Sequence, residues 1–210
     1  MSGRFDDWRV RRRLTRTRVQ RVRDDEAIAR RRETGVELRV HPTLVSDKDL
    51  LANIDGVLNA VVVRADAATP TGYFGPGAGA EATASAVLAD VIDLARAGPE
   101  VNTPPLGQPT GVSSLQPLPI SDAVCAHYLR LKVDDSPGVL NAISGVLAAH
   151  DISIEAIIQK ELPAGASTTT VIILTQEVAE HIAVAACEKM AELPSVTESI
   201  HRLRVEHFDE

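Results

Sequence analysis

Polar and apolar positions alternate most sharply in HYLRLKV, where Leu129, Leu131 and Val133 fall on one face and Arg130 and Lys132 on the other. Successive side chains of a strand point to opposite faces, so this pattern predicts a half-buried strand. The turn DDSPG follows, and Val139, Leu140, Ile143, Val146 and Leu147 then recur at helical spacing up to His150. ISIEAIIQKEL predicts a second strand, PAGAS a hairpin connection and STTTVIILTQ a third strand. A second helix is predicted over VAEHIAVAACEKMAEL, with Ile182, Ala185, Ala186, Met190 and Leu193 apolar, and IHRLRVE closes with Leu203 and Val205 inward. The order βαββαβ over residues 123–207 is the ferredoxin-like arrangement: two crossover helices on one face of a four-stranded antiparallel sheet.

The pattern before it is looser. VELRVHPTLV predicts a strand stopped at His41-Pro42, because proline cannot donate to a ladder. DKDLLANIDG predicts a short helical turn, and the apolar run Val57 to Val63 a strand of the buried type. A short strand at about Thr71 to Phe74 precedes a glycine-rich stretch. Thr83 to Ala97 then sets Ala84, Val87, Leu88, Val91, Ile92 and Ala95 on one helical stripe that ends at Gly98-Pro99. Residues 99–122 hold six prolines and no period, which predicts a linker. The fold class expected is α+β: a partial α/β region at 28–98, the linker at 99–122, and the ferredoxin-like module at 123–207.

Charge changes the picture only at the start. Residues 1–32 carry twelve Arg against five Asp or Glu, net +7, whereas residues 33–210 carry ten basic and twenty-four acidic side chains, net −14. The stretch RVRRRLTRTRVQRVRDDEAIARRR has no aromatics interleaved for base stacking, so residues 1–27 are expected to be a disordered or loosely helical lead-in and not a nucleic-acid arm. Cys125 and Cys187 stand sixty-two positions apart with no metal-type spacing. They predict buried fillers in a reducing, cytoplasmic setting, with no metal. No run approaches the roughly 18 apolar residues of a membrane span.

Two stretches carry candidate chemistry. Gly75-x-Gly77-x-x-Ala80 satisfies a GxGxxG/A fingerprint, whose bare backbone lets a pyrophosphate approach helix N–H groups. It lacks the acidic strand end that should follow, so it is not a complete dinucleotide unit; accessory cofactor contact and simple close packing both stay open. In Asp134-Asp135-Ser136-Pro137-Gly138, Pro137 suits a first helical turn and Gly138 lets a ligand reach the backbone. Amino-acid capture by helix N–H groups and the Asp135 carboxylate stands there beside an ordinary turn capped by Asp and Ser.

VELRVHPTLV, LLANIDGVLNAVVV and YFGPGAGAEATASAVLADVIDLAR together resemble the last part of the catalytic region of homoserine dehydrogenase. HYLRLKVDDSPGVLNAISGVLAAHDISIEAIIQK, with the later AELPSV, resembles the ACT domain that follows it in bacterial members. The likeness runs from about Ile28 to Val205. It implies an NAD- or NADP-dependent interconversion of L-homoserine and L-aspartate 4-semialdehyde, with threonine feedback through the ACT domain. It also implies cofactor contact at Gly77, Gly79 and Ala80, and effector contact at Asp135, Gly138, Val139 and Asn141. The partners it implies are a small amino-acid effector and a second copy paired through the ACT domain, or an intact dehydrogenase subunit; neither nucleic acid nor membrane is among them.

The departures are specific. The family's N-terminal Rossmann domain is not matched, and no lysine precedes Lys48, so no catalytic residue is assigned. His41 is the nearest replacement for the missing base, but a strand-end histidine before proline is ordinarily structural. An isolated chain of this kind is expected to be inactive and to leave the strands around Val61 uncovered. A non-enzymatic, amino-acid-binding and dimerising module is the other reading.

Overall fold

A computed structural model describes residues 20–97, 115–159 and 165–207. The chain divides into two compact units, one made of residues up to Asp49 with those from Leu115 onward, the other of Leu50–Ser114.

In the first unit, β1 (Gln20–Arg31) and β2 (Val36–Ser46) form an antiparallel pair. In the second unit, a 3-10 turn at Leu51–Asn53 precedes the antiparallel hairpin β3 (Leu58–Val63) and β4 (Thr71–Pro76), and helix α1 (Ala80–Ala97) follows. The first unit resumes with the two-residue β5 (Pro117–Leu118), then β6 (Val124–Asp134), α2 (Val139–Ala149), β7 (Ile154–Gln159) and β8 (Thr168–Thr175). It closes with the two-residue β9 (Val178–Ala179), α3 (Glu180–Ala191) and β10 (His201–Glu206).

The ferredoxin-like module forms as the alternation predicts, with spatial order β10-β6-β8-β7 and every neighbour antiparallel. Leu129, Leu131 and Val133 from β6 meet Val171 and Ile173 from β8 under Ile143 and Leu147 of α2 and Ala186 and Met190 of α3. These side chains are almost wholly buried, and burying one leucine or isoleucine stabilises by about 1.5–3 kcal/mol. Leu140, expected on the apolar face of α2, is instead exposed.

Four expectations are corrected. The lead-in at 1–27 does not end as coil: β1 begins at Gln20, and residues 1–19 lie outside the described region. The region 28–98 is not one body, because β2 pairs in parallel with β10 and carries β1 into the same sheet, leaving Leu50–Ser114 separate. The end of the proposed linker, Pro117–Leu118, pairs with Val36–Glu37. Pro42 does not stop its strand. In β1 the register shifts between Arg23 and Glu26, so Pro42 lies opposite a bulge, where a missing N–H breaks no ladder bond.

The alternation of β10 is right but its faces are reversed. Leu203 and Val205 join Leu44, Ala126 and Leu174 in a small second cluster on the sheet face away from the helices. Arg202 and Arg204 point the other way, onto Glu180 at the start of α3.

On that helix-bearing face lies a buried row of charge at the β2–β10 seam. Arg39, wholly buried, is ion-paired to Glu37 on its own strand and to Glu206 on β10. Arg30 reaches Glu206 at 2.8 Å and Arg32 reaches Glu37 at 2.9 Å. Removing one member of such a buried pair strands the other without water. Glu206→Ala is therefore expected to lower unfolding free energy by about 3–5 kcal/mol, and Glu206→Gln by less, since it keeps an acceptor for Arg39. Urea unfolding of both variants measures the difference.

Candidate functional site

The end of β6, the turn after it and the first turn of α2 enclose an open depression of about 480 Å³. Asp135, Gly138, Val139 and Asn141 all line it, together with Ser136, Leu140, Gln159 and Val171. The turn is fixed by backbone bonds: Asp135 N–H donates to the Ser167 carbonyl at 3.0 Å, and Asp134 N–H to that of Ser195 at 2.9 Å. Gly138 sits at the N-cap with φ +93°, in the left-handed region that disfavours any residue bearing a Cβ.

No side chain caps α2. The first-turn N–H groups of an α-helix have no intrahelical acceptor, and here Val139 N–H donates to the Ser136 carbonyl at 3.4 Å. Asp135 is exposed and accepts a hydrogen bond from Gln159 Nε2 at 3.3 Å. Gln159 was not singled out in sequence; it stands 24 positions from Asp135 and comes beside it only through pairing of β7 on β8. A positive helix end beside a carboxylate offers complementary sites for the two charged groups of a free α-amino acid.

Gly77, Gly79 and Ala80 lie together at the start of α1, in the other unit. Gly77 N–H donates to the Val57 carbonyl at 2.7 Å, and a Cβ there would lie 2.0 Å from the Asn59 side chain, so this glycine has a packing cause. Gly79 has φ +117° and open space where a Cβ would be. Glu81 already places a carboxylate in the first turn of α1.

His41 is structural. It is buried, its Nε2 accepts from Arg39 at 2.9 Å, and its Nδ1 lies 2.9 Å from Thr43 Oγ1. Burial, with the Arg204 and Arg39 charges, holds its pKa below the usual histidine value.

A second polar cluster, which sequence spacing did not reveal, lies under α3. Cys125 and His127, two apart on β6, share the helix-facing side with Glu180, and their ligating atoms fall within 4.8 Å of one another. The Glu180 carboxylate is taken by Arg204 at 2.9 and 2.7 Å and by Arg202 at 2.7 Å. Burial pushes the Cys125 thiol up to about 12. Burial would raise Glu180 as well, but the hydrogen bonds from Arg202 and Arg204 outweigh it and hold the group at about 2. Two guanidinium groups already neutralise the Glu180 carboxylate, which makes the cluster a buried charge network. Cys125 is buried as expected, while Cys187 is half-buried; both are free thiols.

First, the class is set: an α+β chain with an ACT domain, whose family profile matches residues 127–183. The homoserine dehydrogenase profile matches residues 6–92. The chain is 42% identical over 186 residues to the homoserine dehydrogenase of Pseudomonas aeruginosa, covering 87% of this chain and 43% of that protein. The Neisseria gonorrhoeae homoserine dehydrogenase is 42% identical over 183 residues, covering 85% and 42%. The crystal structure of a homoserine dehydrogenase from Thiobacillus denitrificans superposes with a TM-score of 0.78 at 42% identity, over 89% of this chain and 42% of that one. The chain belongs to the homoserine dehydrogenase family, and it spans about two fifths of the length of the curated relatives it matches. No helix among the described residues is long and apolar enough to cross a membrane.

His127 supplies a test of the buried cluster. Burial, then the Arg202 charge, lowers its pKa from 6.5 to about 4. Between those values the unfolded chain binds a proton that the folded chain refuses. Stability is therefore expected to fall as pH drops from about 6.5 to 4, by up to about 3 kcal/mol. Urea unfolding across this range should show the slope, and His127→Asn should flatten it.

Proposed function

We propose that the ACT unit binds a small free α-amino acid, threonine first among them, in the depression at the start of α2. Its carboxylate is held by the first-turn N–H groups of α2 and its ammonium by Asp135, with Gly138 keeping the backbone accessible and Val139 and Asn141 bounding the site. The observation that carries this reading is the uncapped, glycine-started N-terminus of α2 opening beside the Asp135–Gln159 pair. Family membership supports the choice of effector class.

The same membership supports a role in NAD(P)-dependent interconversion of L-homoserine and L-aspartate 4-semialdehyde. The residues at Gly77, Gly79 and Ala80 fit an accessory backbone contact with the cofactor: Gly79 leaves its backbone open, whereas Glu81 disfavours a phosphate directly on the helix end. A dinucleotide would supply the hydride-transfer chemistry, and this chain's contribution is to border it. Hydride transfer needs reactants held in near-attack geometry and a positioned acid or base. His41, closed in by Arg39 and Thr43, provides none. The 210 residues alone are thus a regulatory and cofactor-bordering part, inactive by themselves. Pairing of two copies through the ACT unit suits β7, whose outer edge carries no strand among the described residues and which exposes Ile157.

Calorimetry with threonine, serine and methionine tests the effector reading. Threonine is expected to bind, and Asp135→Asn to weaken it about tenfold or more, the scale of one charge-assisted hydrogen bond, without altering the melting profile. Absence of heat with all three amino acids would refute it. Separately, the purified chain with homoserine and NADP is expected to show no turnover above a no-enzyme control.

A further inference from the structure

The segment AELPSV, residues 191–196, leaves the end of α3 and turns back onto the end of β6. Leu193 N–H donates to the Met190 carbonyl at 3.1 Å and Val196 N–H to that of Leu193 at 3.0 Å, which coils the chain tightly off the helix. Pro194, whose ring fixes φ, stands inside this coil. Val196 then forms an antiparallel bridge with Val133. Around the bridge, Asp134 N–H donates to the Ser195 carbonyl at 2.9 Å. Thr197 donates twice to the Lys132 carbonyl, from its N–H at 2.9 Å and from Oγ1 at 3.2 Å.

These bonds finish a strand that β10 pairs only in part. β10 meets β6 as far as Arg130, opposite His201, whereas β8 follows the other edge of β6 to Asp134, opposite Thr168. The edge of Lys132–Asp134 beyond the reach of β10 is thus taken by the Ser195–Thr197 backbone. A strand end held along one edge opens at low cost, since its remaining amides and carbonyls must turn to water. Here two successive amides are held by two different segments: Asp134 by Ser195, and Asp135 by Ser167 at 3.0 Å. The turn Asp135–Gly138 leaves directly from this doubly held end, and Val133 and Asp134 line the depression. Leu193 and Val196 pack against the main core, which seats the brace, while Thr197 is exposed at its end.

We propose that Thr197 is a positioning residue for the effector depression: through the Ser195–Thr197 brace it holds Val133 and Asp134, and with them the turn Asp135–Gly138, in the form that captures an amino acid. Thr197 does not itself line the depression, so its action is through the backbone of β6. This rests on the effector reading above.

The test is amide exchange and threonine calorimetry on the full 210-residue chain and two variants. Thr197→Val keeps the shape and the N–H but loses the Oγ1 bond, and Thr197→Ser keeps that bond. One neutral hydrogen bond shifts an equilibrium about two- to tenfold. In Thr197→Val, exchange at the Asp134 and Asp135 amides is expected to speed up by that factor and threonine binding to weaken by the same factor. Exchange at Leu129 and Leu131 and the melting profile stay unchanged, and Thr197→Ser restores both altered quantities. Exchange at Asp134 and Asp135 that is the same in all three proteins would show that Thr197 braces nothing. Faster exchange with unchanged threonine affinity would make the brace purely structural and overturn the positioning role. If the unaltered chain takes up no threonine, the effector reading falls and this proposal with it, whereas equal affinity in all three proteins sinks the positioning role alone.

Discussion

The buried ion pair between Arg39 and Glu206 holds the first unit to its observed topology, because it joins strands that lie 167 positions apart in the chain. A buried pair of this kind is a weak source of net stability, since desolvating both ions offsets much of their attraction. It is a strong source of register. A one-residue slip of β2 against β10 would carry Arg39 to the opposite face, where Leu38 and Val40 now stand exposed, and would leave Glu206 buried alone. Glu37 and Glu206 each hold a second arginine at the margin, Arg32 and Arg30. Arg39 Nη2 is nevertheless buried without a hydrogen-bond partner, so the seam specifies a pairing more than it optimises one.

The same strand, β6, serves two environments in succession. At its start, Cys125 and His127 are buried facing Glu180 and the arginines of β10. At its end, Val133 and Asp134 border the open depression under α2. Between them Leu129 and Leu131 sit in the main core. The strand is thus anchored by charge at one end and by apolar packing in the middle, and its far end is left to present the turn Asp135–Gly138.

What the sequence disclosed depended on how local the signal was. The βαββαβ module was legible because each strand and helix repeats its own period over six or more residues, and the cores of α2 and α3 follow that period at Ile143, Leu147, Ala186 and Met190. The turn Asp135–Gly138 was legible because its residues are contiguous; Gln159 beside it was not, since only strand pairing brings it near. β1 was hidden because its run of arginines resembles an unpacked lead-in, while its strand form comes from pairing with β2. Leu203 and Val205 misled for a related reason. Alternation gives which residues share a face but not which face meets the helices, and here Glu180 draws Arg202 and Arg204 to that side.

A consequence concerns where the two family segments meet. The homoserine dehydrogenase match runs through residues 6–92 and so includes β1 and β2, yet these strands are hydrogen-bonded into the sheet of the ACT unit. The junction between the two matched segments therefore lies within one continuous sheet, while Leu50–Ser114 forms a separate compact unit. The β2–β10 seam joins strands matched to the homoserine dehydrogenase profile to the ACT module, and its buried charge row lies at that junction.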